Sequence, residues 1–194
     1  MGRLVLILGG ARSGKSAIAE KMAREWGGQV TFVATAEPHD DEMKQRIRAH
    51  QAARPAGWRT IEEPLRLGDA VRGAAMESDT VLVDCLTLWV SNLLGRLERP
   101  ASDDGWAPVP AQLTPEVDAA AVSLLDAARS TDATILVVSN EVGLGLVPPY
   151  PLGRVYRDLL GHANRRLAAE ADQVLLMVAG LALDVKRLAL EGLP

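Results

Sequence analysis

Cysteine is nearly absent from this chain: Cys85 is the only one among 194 residues. An intramolecular disulfide and a cysteine-built zinc cage are therefore both excluded. Histidine is scarce as well, and the three that occur are not spaced as ligands on one element, which argues against a metal hydrolase. Basic charge is not in excess. The formal charge of -4 leaves no footprint for nucleic acid, although a single nucleotide needs only local donors and one lysine. No apolar run approaches the length that crosses a bilayer. Met1 leads directly into a strand-like run, with no charged leader region or cleavage site, so a soluble cytoplasmic protein is expected. With 48% apolar and 24% charged residues, the chain reads as one globular domain over residues 1–194.

What is present is an alternation of two patterns. Leu4–Leu8, Val30–Ala34, Thr80–Val83, Thr134–Val138 and Val174–Val178 are short apolar runs of the kind buried on both faces of a parallel sheet. Between them lie helical stretches. Ile18, Met22 and Trp26 recur every four residues and predict the buried stripe of the first helix, which Gly27-Gly28 ends. Asp40-Asp41-Glu42 opens a second helix running to about Ala53, where Pro55 biases Arg54 out of helical geometry. Further helices are expected over Pro64–Ala75, Leu86–Leu97, from a Thr114 cap with Pro115 at its first position, and from residue 153 to about Ala171. Residues 99–113, rich in proline, read as an exposed loop. The expected fold is α/β, a mostly parallel sheet with helices on both faces, and the run Gly9-Gly10-Ala11-Arg12-Ser13-Gly14-Lys15-Ser16 after its first strand makes it P-loop NTPase-like.

Gly9-Gly10-Ala11-Arg12-Ser13-Gly14-Lys15-Ser16 matches G-x-x-x-x-G-K-[ST], with a strand before it and a helix after. Glycines let backbone N–H groups curl around an anion, and the helix N-terminus adds free donors and a positive dipole. Lys15 is expected to reach the outer phosphates of ATP or GTP, with the Ser16 hydroxyl on Mg²⁺. Asp84 has the position of the acidic partner that holds Mg²⁺ at the end of a neighbouring strand; the competing reading is a cap for the next helix.

Other residues carry less definite signals. His50 is either a partly buried histidine closing an apolar stripe or a nucleophile, since imidazole can form a covalent phosphoryl-type intermediate. His39 and His162 read as structural or solvated. Asn140 and Glu141 follow the fourth predicted strand, where they either face a ligand at the C-terminal strand ends or cap the chain locally. Arg154, Arg157, Arg165 and Arg166 either meet phosphate or form a solvated face. No Asn-Lys-x-Asp-type tetrapeptide is present to read guanine in the manner of a regulatory GTPase.

Several passages taken together resemble one family. The phosphate loop, Ala34-Thr35-Ala36, Asp40-Asp41-Glu42-Met43 with Arg46, Ile47 and His50, and Arg54-Pro55 with Trp58 to Glu62 are similar to the bifunctional adenosylcobinamide kinase / adenosylcobinamide-phosphate guanylyltransferases of cobalamin biosynthesis. So are Asp84-Cys85-Leu86-Thr87, Ser91–Leu94, Ser139-Asn140-Glu141-Val142-Gly143 and Asn164–Ala168. The resemblance implies two reactions. The γ-phosphoryl of ATP or GTP moves to the aminopropanol hydroxyl of adenosylcobinamide. GMP then moves from GTP to that phosphate through a guanylylated histidine, giving adenosylcobinamide-GDP and pyrophosphate. His50 matches the histidine, with Lys15 assisting. Gly9 to Ser16, Thr35, Ala36, Gln51, Ala52, Ala53, Arg54, Glu62 and Asp84 match the nucleotide contacts, with Ser16 and Asp84 on Mg²⁺. A homo-oligomer, specifically a trimer, is also implied. A P-loop small-molecule kinase without guanylyl transfer is the alternative, in which His50 is inert.

Overall fold

The computed structural model describes residues 2–96 and 113–190. Fourteen elements follow one another: β1 (Arg3–Gly9), α1 (Lys15–Trp26), β2 (Val30–Ala34), α2 (Asp41–Ala53), β3 (Arg59–Glu62), α3 (Leu67–Ala75) and β4 (Thr80–Asp84), then α4 (Leu86–Gly95), α5 (Leu113–Arg129), β5 (Thr134–Val138), α6 (Pro151–Glu170), β6 (Gln173–Val178), β7 (Leu181–Asp184) and α7 (Val185–Leu188). The seven strands form one sheet in the order β3-β2-β4-β5-β1-β6-β7. Six run parallel, and only β7 pairs antiparallel, with β6.

Strand alternation divides the apolar residues between two cores. Leu4 and Leu6 of β1, Val81 and Val83 of β4, and Ile135 and Val137 of β5 enter one core with α3, α4, α5 and α6. Val5, Ile7, Leu82, Leu136 and Val138 point to the other face, under α1. Successive side chains of a strand face opposite ways, so a continuous apolar run is what a two-sided sheet requires. Trp89 anchors the larger core: it is fully buried and its indole N–H donates to the Leu65 carbonyl at 2.7 Å. A buried indole needs that acceptor to avoid an unpaired donor.

Three expectations change. The buried stripe of α1 is Lys15, Ala19 and Ala23, with Ile18 and Met22 only flanking the core and Trp26 41% exposed. Small residues let the helix lie close on the sheet, and the bulkier ones wedge at its sides. The guanidinium of Arg3 covers the Trp26 ring at 5.4 Å. The third helix begins at Leu67 rather than Pro64, and α5 already includes Leu113, so Thr114 lies within the helix instead of capping it. The expected loop over 99–113 otherwise lies outside the described residues.

Candidate active site

The C-terminal ends of β1, β2, β4 and β5 define the site. After β1 the chain turns through the glycine-rich loop, and Gly14 enters α1 with φ 97°. That left-handed geometry suits glycine, and it leaves the first N–H groups of α1 free to face an anion. The loop closes on itself and on its neighbours: Ser13 N–H donates to the Gly10 carbonyl at 3.3 Å, Gly180 N–H to the Ser13 carbonyl at 3.0 Å, and Glu141 N–H to the Gly9 carbonyl at 3.0 Å. Lys15 is buried, and its ammonium donates to the Gly10 carbonyl at 2.6 Å. Burial lowers its pKa, and the neighbouring Asp84 carboxylate opposes that shift.

Asp84 stands at the end of β4, but β5 lies between β4 and β1, so its strand is not the phosphate strand's direct neighbour. Burial raises the pKa of Asp84, and the Ser16 side chain of the loop together with the charges of His50, Arg54 and Lys15 pulls the other way. The capping alternative does not hold: the cap of α4 is Cys85, which makes no side-chain capping bond. Beside it, the Cys85 thiol is pushed up to about 11, by burial first and then by the Asp84 charge, so it stays protonated at neutral pH.

Thr35 spends its hydroxyl on its own framework. It donates to the Cys85 carbonyl at 2.8 Å and accepts from the Cys85 N–H at 2.9 Å, fixing the backbone beyond Asp84. Asn92 holds the next layer, donating to the carbonyls of Thr35 at 2.7 Å and Pro64 at 3.1 Å. Ala36 follows Thr35 half-buried.

His50 lies in the last turn of α2 and is exposed, so it does not close an apolar stripe. Asp40 caps this helix, its carboxylate accepting from Met43 N–H at 2.7 Å. Just beyond His50 a cavity of about 410 Å³ opens, walled by Gln51, Arg54, Pro55, Trp58, Thr60 and Glu62. Gln51 donates to Glu62 at 3.1 Å, and the Arg54 guanidinium stacks on the Phe32 ring at 3.8 Å. Burial lowers the pKa of Arg54 despite the nearby charges of Asp84, Glu20 and Glu62. This cavity does not itself include the phosphate loop; Arg54 links the two through its interaction with Asp84. Among the described residues, two buried side-chain polar atoms have no hydrogen-bond partner, Ser13 Oγ and Arg54 Nε. Both lie here, one in the loop and one on the cavity wall, where a ligand's oxygens would satisfy them.

The structure therefore brings Gly9 to Ser16, Asp84, His50, Gln51, Arg54 and Glu62 to one edge of the sheet. Ala52, on the last turn of α2, is exposed. Sequence reasoning gave no role to Trp58, Thr60 or Thr87. Trp58 and Thr60 sit in the stretch that carried the resemblance, yet only the turn from α2 into β3 makes them walls. Thr87 accepts from Asn140 N–H at 2.9 Å. Of the remaining candidates, Asn140 gives its carbonyl to Asn164 Nδ2 at 2.9 Å, and Glu141 accepts from Gly143 N–H at 2.8 Å. His162 pairs with Asp118 at 3.1 Å, and Arg166 lies 3.7 Å from the same carboxylate. His39 is an exposed neighbour of Glu37.

The cobinamide kinase / cobinamide phosphate guanyltransferase family matches residues 5–185. The bifunctional adenosylcobalamin biosynthesis protein CobP of Pseudomonas aeruginosa is 45% identical over 93% of this chain and 96% of its own. The CobU proteins of Salmonella typhimurium and Escherichia coli are 38% and 37% identical, each over 94% of this chain and 99% of theirs. Among solved structures, the P4 protein from bacteriophage phi6 in complex with ADP aligns with 93% of this chain at 18% identity and a TM-score of 0.45; the chain spans about half of its length, 54%. The family match and the CobP and CobU relatives place the chain in the cobinamide kinase / cobinamide phosphate guanyltransferase family.

Proposed function

We propose that this chain phosphorylates adenosylcobinamide and then guanylylates the product through His50, with one domain carrying both reactions. The observation that supports this most directly is the reach of Asp84. Ser16 of the phosphate loop and the charges of Lys15, Arg54 and His50 all favour the ionised form of its carboxylate, against burial. One acidic group thus joins the loop that holds phosphates to the helix that carries the nucleophile.

In the kinase step the acceptor hydroxyl attacks the γ-phosphorus of ATP or GTP. The bond to the β-phosphate oxygen breaks, the nucleoside diphosphate leaves and the hydroxyl proton is released. Lys15 and the N–H groups of Gly9 to Ser16 hold the oxygens on which charge accumulates. In the guanylyl step an unprotonated ring nitrogen of His50 attacks the α-phosphorus of GTP, and pyrophosphate leaves with the electron pair. A phosphate oxygen of adenosylcobinamide phosphate then attacks the same phosphorus, the P–N bond breaks and the imidazole is restored. This covalent route divides one difficult displacement into two. Arg54, Gln51 and Glu62, with the backbone of Ala52 and Ala53, frame the nucleotide beside His50.

Ser16 and Asp84 are hard oxygen donors, and one carboxylate with substrate phosphates is the usual Mg²⁺ site. The ion, when bound, supplies neutralisation of phosphate charge. A trimeric, cytoplasmic enzyme remains part of this proposal through the family resemblance.

Intact-protein mass spectrometry after incubation with GTP and Mg²⁺ tests the reading. The wild type is expected to gain one GMP, labile to acid, and His50→Ala to gain none while keeping kinase activity. A wild type that binds GTP but never gains mass sinks the guanylyl reading.

A further inference from the structure

We propose that the loop from Val142 to Tyr150, between β5 and α6, is the surface that receives the corrinoid acceptor. This inference rests on the function proposed above and assigns that substrate its own binding residues. The loop displays a run of bare apolar side chains: Leu146 is 96% exposed, Leu144 83%, Val147 62% and Tyr150 60%. Scattered surface leucines are ordinary, but a contiguous apolar patch marks a binding surface.

This patch is also held in shape. At its start, Glu141 N–H donates to the Gly9 carbonyl of the phosphate loop and the Glu141 carboxylate accepts from Gly143 N–H. Gly145 N–H donates to the Val142 carbonyl at 3.3 Å. At its end, Arg154 donates to the carbonyls of Pro148 at 3.1 Å and Pro149 at 2.8 Å. Gly153 lets the Tyr150 ring and Pro148 lie against the start of α6; a Cβ there would come within 2.6 Å of the ring. The exposed side chains therefore stand on a braced backbone, which lowers the ordering cost of binding.

Strand order selects the occupant. The loop leaves β5, the strand between β4 with Asp84 and β1 with the phosphate loop. An acceptor seated there has its reacting arm over the gap between metal carboxylate and phosphates, where ligands of open α/β sheets bind. A corrin is a broad macrocycle with methylated, largely apolar faces, far larger than the nucleotide, and it suits a flat apolar platform. A second bare patch, Val178, Leu181 and Leu183 on the β6–β7 hairpin, lies on the other side of β1, away from Asp84 and His50. It serves as the control.

The test uses full-length Leu146→Asp and Leu144→Asp, with Leu181→Asp beside them. Kinase and guanylyltransfer rates are measured against adenosylcobinamide and its phosphate, GMP uptake from GTP is followed by mass, and the oligomeric mass by light scattering. Both loop variants are expected to raise the corrinoid KM by about tenfold or more, the scale set by one buried leucine. GTP-dependent GMP uptake, which involves no acceptor, stays as in wild type and shows that the variants fold. Leu181→Asp is expected to leave the corrinoid KM unchanged. A corrinoid KM within about twofold of wild type in both loop variants overturns the assignment. So does a KM effect confined to Leu181→Asp, or a loss that tracks a changed oligomeric mass, which would make the loop an interface between copies. A wild type with neither cobinamide phosphorylation nor GMP uptake removes the parent function and this assignment together.

Discussion

Helices α1 and α2 both start near the C-terminal edge of the sheet and both carry a residue of the proposed chemistry, yet they are held quite differently. α1 lies on β1, β4 and β5 with Lys15, Ala19 and Ala23 buried. α2 has only Met43 and Ile47 half-buried among its described side chains, and no element packs extensively against it. In the proposed mechanism the loop at the head of α1 holds phosphates in one geometry through both reactions, whereas His50 bonds to phosphorus and then gives the group up to a second substrate. A helix with few buried contacts belongs to the low-stability end of a fold, where moving parts are found.

Substitutions can break or sharpen that contrast. The largest effect is expected at Lys15→Ala, with both activities falling by about 10²–10³ or more, the scale of removing one preorganised charge donor; steady-state assays of each reaction check it, and a loss restricted to one reaction would separate the two sites. Next is Ala19→Leu, which forces bulk between α1 and the sheet and is expected to cost about 1–3 kcal/mol in urea unfolding. An unchanged midpoint would mean α1 is not seated as described. On α2, Asp40→Ala removes the cap and about 1 kcal/mol of helix stability. The expected signature is faster amide exchange in α2 and slower GMP uptake, with global Tm and kinase rate unchanged; a lowered global Tm would show that α2 unfolds with the body.

Asp84→Asn probes the group between the two helices. A carboxyl whose folded pKa lies above its ordinary 3.8 favours the fold while protonated and loses that contribution as pH rises through the raised value. At neutral pH the charge therefore destabilises the metal-free protein. The amide is expected to raise Tm, by about 2–4 °C per kcal/mol relieved, while abolishing Mg²⁺-dependent turnover. A lower Tm at pH 7 would mean that the groups favouring the carboxylate outweigh burial. The smallest effect is expected at Arg48→Ala on the exposed α2, within about 0.5 kcal/mol of wild type by urea unfolding.

The central strands were readable because burial on both faces writes a continuous apolar run. Leu4–Leu8 and Thr134–Val138 marked β1 and β5 almost residue for residue. The edge strands left no such mark. Arg59–Glu62 and Leu181–Asp184 are mostly exposed, so the sequence reading passed over β3 and β7. The stripe of α1 was misread because periodicity favours bulky residues, while close packing on a sheet selects the alanines between them. At the site, the phosphate loop is local and its motif suffices. The Arg54–Phe32 stack and the Trp58 wall join residues whose proximity only the folded sheet creates.

The sheet order also bears on how the chain is made. β1 is synthesised first, but its two neighbours are β5 and β6, beginning at Thr134 and Gln173. β2, β3 and β4 pair among themselves within residues 30–84 and need not wait. Non-local pairing of this kind slows folding because a long loop must close before any contact rewards it. On the ribosome, the strand bearing the phosphate loop thus emerges before every other strand of the sheet and is among the last to be paired, so nucleotide can be held only once β5 and β6 have followed it.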